Sequence, residues 1–431
     1  MSRERHKGVP LASAALVAMF LIAALAVWVE SPCAQLLNSI PADSPAQCQQ
    51  PDNSGFKDKA TGDWGGERRR LEQAGITIGA SYLQEGFGNF RGGLRTSPLV
   101  QASTTDLSLG LDAEKLFNWK GCKFYVDLED HAGRNPSTVL VGDLQVFDKQ
   151  NSAPYLQFFE LWYQQELFDG LLRLKIGKVD ANSEFSVIDN GLPFISSSTQ
   201  VSPITFVFPT TPDPMPSVNV FFTPGKSYYA SFGAYYSNRS DTFGDLVGNP
   251  ASIQFTDFGT FLIGESGVRW RNAPILASGG NLKVGFWDHT GTFTRFDGSE
   301  QQGTHGGYGI FDQTIWQPAG ESPEGRGVRA FLEYGRTEQT INSVYQHIGG
   351  GLTWKGLFAC RPNDIAGFSP QYCYLSRQAA LPFTYEMALE SFYELQVAPW
   401  AELMPDLQYI IHPGGKYSDA LVGTIRMKVD F

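Results

Sequence analysis

The sequence predicts an all-β protein: a transmembrane antiparallel β-barrel of about sixteen strands, with a short N-terminal periplasmic helix. Three observations lead there. Only 18% of the 431 residues are charged, below the roughly 25% usual in soluble domains, while the 42% hydrophobic share is too low for a helical membrane protein. Apolar and polar residues alternate with period two through most of the chain. The 46 Gly, 31 Phe and 17 Tyr suit many short strands, tight turns and aromatic side chains that face an apolar medium.

Residues 1–34 read as a secretory signal peptide. Arg3, Arg5 and Lys7 give a positive head, the run from Pro10 to Val29 has Ser13 as its one polar member, and cleavage is expected near Ala34. A run of that length would also serve as a membrane anchor, so that reading stays open. Beyond Val29 no stretch is long and apolar enough to cross a bilayer as a helix, and membrane residence therefore requires a barrel. Residues 35–75 form a polar arm followed by a short helix. Asp63 is the expected N-cap, Trp64 to Ala74 the helix and Gly75 its stop. Arg68, Arg69 and Arg70 would place this helix at the periplasmic mouth or against lipid head groups, with a plain solvated basic face as the alternative.

From 76 to 431 the period is two. Ile76, Ile78, Ala80 and Tyr82 alternate with Thr77, Gly79 and Ser81, and Phe124, Val126 and Leu128 alternate with Tyr125, Asp127 and Glu129. Leu172, Leu174 and Ile176 stand against Arg173 and Lys175; Leu282, Val284 and Phe286 against Lys283 and Trp287; Leu332 and Tyr334 against Arg329 and Glu333. The last set is Ile425, Met427, Val429 and Phe431 against Arg426, Lys428 and Asp430. The segment Gly86 to Gly93 reads as a turn, because no helix follows it to make a phosphate-cradling loop.

Period two fits a soluble sandwich as well as a barrel. Export, a chain that ends on Phe431 at the close of an apolar row, and aromatics near strand ends (Trp119, Tyr163, Trp270, Trp354, Trp400) favour the barrel, whose lipid interfaces carry aromatic girdles. Residues 190–224 hold Pro193, Pro203, Pro209, Pro212, Pro214 and Pro216, so they form a long loop that is a candidate to fold into the pore. Allowing about 22 residues per strand with its connections gives about sixteen strands; fourteen and eighteen are the neighbouring even solutions. A barrel of that size leaves an aqueous channel.

Without the signal, Cys48, Cys122, Cys360 and Cys373 remain. In an exported protein they permit disulfides, with Cys360 to Cys373 as the first pairing and Cys48 to Cys122 following; four reduced thiols are the alternative. No CxxC is present, and neither a metal nor a cofactor is expected. The 33 basic and 44 acidic residues give a net charge of −11, which argues against nucleic acid as a partner.

Three motifs carry a family likeness. Thr61-Gly-Asp-Trp-Gly-Gly-Glu-Arg, Lys175-Ile-Gly-Lys-Val-Asp-Ala-Asn-Ser-Glu-Phe and, most specifically, Ala398-Pro-Trp-Ala-Glu-Leu-Met-Pro-Asp-Leu-Gln-Tyr-Ile-Ile-His-Pro-Gly-Gly resemble the carbohydrate-selective porins of the OprB type, over about residues 58–431. The resemblance implies a sixteen-stranded barrel in the outer membrane of a Gram-negative bacterium that admits glucose and other sugars by facilitated diffusion. The implied partners are carbohydrates and outer-membrane lipid. Whether the barrel stands alone or as a homo-oligomer is open.

A sugar offers many hydroxyls and apolar C–H faces, so a selective pore should present charged hydrogen-bonding groups and aromatic rings. The expected pore-lining set is Asp127, Glu129, Arg134, Arg173, Lys175, Lys178, Glu184, Arg329 and Glu333, with Trp162 and Trp287 as ring platforms. For each one the plain alternative is solvated wall. Competing functions are a general or anion-selective porin, disfavoured by the mixed charge signs, and an outer-membrane hydrolase, for which no GxSxG supplies a nucleophile.

Overall fold

The structure, a computed structural model, describes residues 58–150, 152–237, 259–271 and 279–431. The signal segment 1–34 and the arm up to residue 57, which includes Cys48, lie outside the described residues.

Among the described residues, sixteen strands form one closed antiparallel barrel. The first eight are β1 (Ile76–Arg91), β2 (Ser97–Asp112), β3 (Cys122–Gly133), β4 (Tyr155–Leu167), β5 (Leu172–Val179), β6 (Met215–Phe222), β7 (Tyr228–Ser237) and β8 (Gly259–Trp270). The rest are β9 (Gly280–Thr294), β10 (Glu300–Trp316), β11 (Gly327–Thr337), β12 (Val344–Lys355), β13 (Ile365–Leu375), β14 (Tyr385–Ala398), β15 (Ala401–Ile411) and β16 (Ala420–Asp430). Each strand pairs with its sequence neighbours, and β16 returns to β1 in register from Ser81 with Asp430 to Gly88 with Gly423. Closure leaves no unpaired edge to recruit another chain.

The alternation read from sequence separates the two faces. Leu107, Phe286, Leu332 and Ile425 are 50%, 69%, 61% and 61% exposed, whereas Asp127, Lys283, Glu333 and Arg426 are buried inside. A wall this apolar outside and polar inside is stable only with hydrocarbon around it. Trp119, Trp270, Trp354 and Trp400 all fall at the end where connections are mostly short, and Phe117, Phe168 and Trp316 join them there as an interfacial belt.

Local chemistry adjusts three expectations. The first helix, α1, spans Glu67–Ala74 rather than starting at Trp64, because Gly65 and Gly66 take positive φ of 70° and 101° and break the turn. Its arginines are engaged: Arg69 pairs with Asp63 at 3.2 Å, Arg70 with Glu67 at 2.8 Å, and Arg68 lies over the Trp64 ring at 4.2 Å. A second helix, α2 (Ala113–Phe117), joins β2 to β3; Asp112 caps it by accepting from the Glu114 and Lys115 N–H groups. Residues 86–91, read as part of a turn, continue β1, and the chain reverses only after Arg91.

The pairing of Cys360 with Cys373 is wrong. Both thiols are free, Cys360 exposed and Cys373 buried, and Cys122 is free as well. Chain reach explains this. Cys373 stands eight residues into β13, roughly 26 Å from Ile365, whereas the five residues back to Cys360 span at most roughly 18 Å. The gap exceeds the roughly 7 Å between Cα atoms that a disulfide tolerates.

The inward loop spans 180–214, not 190–224: residues 215–222 form β6, where Pro216 sits in register opposite Lys178, and the loop before them folds into the lumen. Its Phe194, Ile195 and Ile204 are wholly buried against rings of the wall, including Phe331 and Phe392. Wall glycines make the seat: a Cβ on Gly367 would lie 2.2 Å from the Phe392 ring and 2.9 Å from that of Phe194, and one on Gly335 would lie 2.6 Å from Ile204. A second inward loop, 134–154, packs Leu140, Val141 and Phe147 against β1, β2 and β16.

Candidate functional site

Backbone N–H groups of an inward loop cannot join the barrel ladder, so each needs another acceptor. Wall carboxylates supply them. Glu265 of β8 accepts from Ser186 N (2.8 Å), Asp312 of β10 from Asn190 N (2.9 Å) and Glu390 of β14 from Ile195 N (2.6 Å). Glu386 of β14 does the same for the other loop, accepting from Leu144 N and Gln145 N at 2.9 Å each, and it also takes Gly414 N at 2.6 Å. These bonds satisfy the buried loop amides and fix where each loop stops.

Segment 180–214 packs mainly against β6–β13, and a gap remains on the far side. There a cavity of about 260 Å³ is bounded by the loop residues Lys149, Gln150, Leu192 and Pro193 and by the wall of β1, β2 and β14–β16. The wall contributes Ser81, Asp106, Glu394, Glu402, Arg426 and Lys428, with Leu83 and Met404 as aliphatic patches. Arg426 is nearly enclosed: its Nε donates to Glu85 Oε1 at 2.6 Å, and its Nη2 reaches Asp148 Oδ1 at 3.3 Å. Lys428 pairs with Asp430 at 3.3 Å, and Lys149 donates to Gln200 Oε1 at 2.8 Å. Burial brings Lys149 down to about 8, with the neighbouring Arg426 cation acting in the same direction. The gap thus offers both signs of charge and an aliphatic shelf at a scale below the roughly 300 Å³ where drug-sized pockets begin.

The residues expected from sequence scatter around this pathway. Arg173, Lys175 and Glu184 come together: Arg173 grips Glu184 at 2.7 and 3.0 Å, Lys175 closes on the same carboxylate, and Arg173 also covers the Phe221 ring at 3.6 Å. Burial raises Glu184, but the two cations outweigh it and hold the carboxyl below its usual range. This trio anchors the start of the inward segment. Trp162 stacks on Tyr125 at 5.0 Å and carries Lys175 over its face at 4.1 Å. Asp127 and Glu129 face the lumen from β3, where Glu129 accepts from the Tyr155 hydroxyl.

Others stand elsewhere. Trp287 is 2% exposed and packed against Phe206 and Phe261, so it belongs to the core under the loop and offers no open ring platform. Glu333 is buried with His347 at 3.6 Å. Arg329 donates to the Pro323 and Gly325 carbonyls of the turn before β11. Arg134 is exposed just beyond β3. Lys178 pairs in register with Leu161 and Pro216 on the outer face and donates to Gln157 and Phe158 at 2.9 and 2.7 Å. Parity explains it: three residues from the inward Lys175, a side chain points the other way. The residues that frame the gap, Asp106, Lys149, Glu394, Glu402 and Arg426, were not singled out from sequence, although Glu394, Glu402 and Arg426 sit on faces the alternation marks as polar.

Comparison with known proteins agrees with this geometry. The family profile described as carbohydrate-selective porin, OprB family, matches residues 99–431. Porin B of Pseudomonas aeruginosa is 24% identical over 422 residues, covering 86% of this chain and 90% of the relative. The high-pH structure of Pseudomonas putida OprB superposes with a TM-score of 0.77 at 20% identity, over 88% of this chain and all of that one; the low-pH structure gives 0.60 at 19%, over 87% and 99%. A closed sixteen-stranded wall, a narrowed lumen and a match over most of its length place the chain in the OprB family of carbohydrate-selective porins, channels of the Gram-negative outer membrane.

Proposed function

We propose that single hexoses, glucose among them, cross through the gap between the inward loops and the wall of β14–β16, β1 and β2. The observation that carries this reading is the lining itself. Glu394, Glu402 and Asp106 can accept from sugar hydroxyls, Arg426, Lys428 and Lys149 can donate to them, and Leu83, Leu192 and Met404 can meet the C–H face. No single group dominates, which keeps binding weak enough for release. In this reading Asp127, Glu129 and Trp162 flank the route, Arg173, Lys175 and Glu184 hold the loop in place, and residues 1–34 direct export.

Liposome swelling with a panel of sugars tests it. Glucose is expected to enter faster than a disaccharide at equal concentration, and glucose added to a planar bilayer should lower single-channel conductance. Equal exclusion of every sugar would overturn the reading.

Lys149 supplies a second test. Because its folded value lies near 8, raising pH from 7 to 9 strips a positive charge from the gap. Preference for cations over anions should therefore rise with a midpoint near 8, read as a shift in reversal potential across a KCl gradient. Lys149→Met should be more cation-selective than wild type at pH 7 and differ little from it at pH 9; equal selectivity of the two at pH 7 would refute the assignment.

A further inference from the structure

We propose that the outer rim beside β1 and β16 binds the phosphorylated sugar headgroup of outer-leaflet lipid. The β1–β16 ladder runs Asn89 with Val422 and then Arg91 with Leu421, so one extra residue sits in β1 at this point. Val422 is an inward position and Leu421 an outward one, and the bulge therefore turns Arg91 to the lipid side of the wall. Phe90, 64% exposed, stands beside it. The connection from β15 to β16 brings a second exposed cation, Lys416, to the same place.

Between them lies a cavity of about 440 Å³, lined among others by Arg91, Phe383, His412, Lys416, Tyr417 and Asp419. The one carboxylate there is already engaged: Asp419 accepts from the Tyr409 hydroxyl at 3.0 Å and from His412 N at 3.1 Å. Neither Arg91 nor Lys416 is ion-paired among the described residues, and Lys416 Nζ rests 5.0 Å from the centre of the Tyr417 ring. Phe383 and His412 stack at 3.8 Å with their planes 7° apart, and Tyr385 meets His412 edge-on at 4.6 Å, so the aromatic side of the cavity is stiff.

The rim belongs to the end of the barrel with the long connections, which in outer-membrane barrels faces outward. Two unpaired cations and an aromatic shelf just above an apolar belt suit an anionic phosphate attached to a sugar, itself attached to acyl chains. A chain of net charge −11 has little general attraction for anions, so this pair must act locally. The occupant is a lipid phosphate rather than free phosphate, because the cavity opens beside the hydrocarbon-facing wall.

The test uses the full-length protein in detergent and a fluorescent, diphosphorylated lipid A as probe. Arg91→Gln with Lys416→Gln should weaken binding by about thirtyfold, about a factor of five for each cation lost near an anionic lipid surface. Arg91→Glu with Lys416→Glu should weaken it further, and Arg70→Glu, at the opposite end, should bind as wild type. Glucose entry should stay unchanged in all of them. Lipid A stripped of both phosphates should bind wild type about as weakly as intact lipid A binds the double-Gln variant. Equal affinity of wild type and double variant, equal affinity for stripped lipid, or displacement by millimolar inorganic phosphate would each overturn the proposal.

Discussion

Replacing Glu265 and Glu390 with leucine should widen the pore without unfolding the barrel. The two carboxylates accept from Ser186, Ile195 and Ser196 N–H groups of the inward segment. Removing an acceptor leaves each buried donor unsatisfied at a cost of about 1–3 kcal/mol, enough to shift the segment away from its seat. The backbone ladder of the wall is untouched; the wall loses the bonds that Glu265 accepts from the Tyr229 and Tyr308 hydroxyls of β7 and β10, at 2.7 Å each. The double variant is expected to conduct several times more current, to lose glucose blockade, and to admit disaccharides in the ratio free diffusion would give. Glu390→Gln keeps an acceptor oxygen and should stay near wild type. A double variant with unaltered conductance and sugar discrimination would mean that packing of Phe194 and Ile204 alone holds the loop.

Arg426→Leu should be the most destabilising single change in the pathway. Its side chain is 9% exposed and joins Glu85 of β1 to Asp148 of the loop 134–154. Deleting the cation strands two buried carboxylates, which costs about 3–5 kcal/mol when one partner of a buried pair is removed. It also removes a positive charge from the gap, so the channel should become more cation-selective. Arg426→Lys restores the charge but not the fork that spans both carboxylates, and should recover selectivity better than stability. Glu85→Leu added to Arg426→Leu should regain part of the lost stability, because apolar replacement of both partners is far cheaper than orphaning one. Thermal unfolding of the three variants in detergent decides this; a Tm for Arg426→Leu equal to wild type would refute it.

What could be read from the chain follows from how each feature is encoded. A strand between lipid and water writes its two faces into alternate residues, so Leu107, Phe286 and Ile425 announce the outer wall and Asp127, Lys283 and Arg426 the inner one. The proline-rich stretch marks a loop because proline cannot donate to the ladder, and its length makes a lumen position natural, but the signal overran the loop's end, since Pro216 stands within β6. The anchors Glu265, Asp312, Glu386 and Glu390 were not legible. On their strands they look like any other lumen carboxylate, and only the arrival of a loop amide from far along the chain, as with Ile195 at Glu390, gives them a task. The gap was hidden for the same reason: Asp106, Lys149, Glu394 and Arg426 come from four distant segments that only closure brings together. Lys178 is a different case, since counting parity from Lys175 would have turned it outward.

In the proposed route, solute passes on the β1 side of the inward loops. Ser81, on the inner face of β1 and in the lining of the gap, gives the most direct access to it. Single-channel current should be recorded for Ser81→Cys in a Cys48→Ser, Cys360→Ser background, before and after a bulky hydrophilic thiol reagent is added. Current should collapse and glucose entry stop; current and glucose entry that persist with Ser81→Cys fully modified would rule this route out.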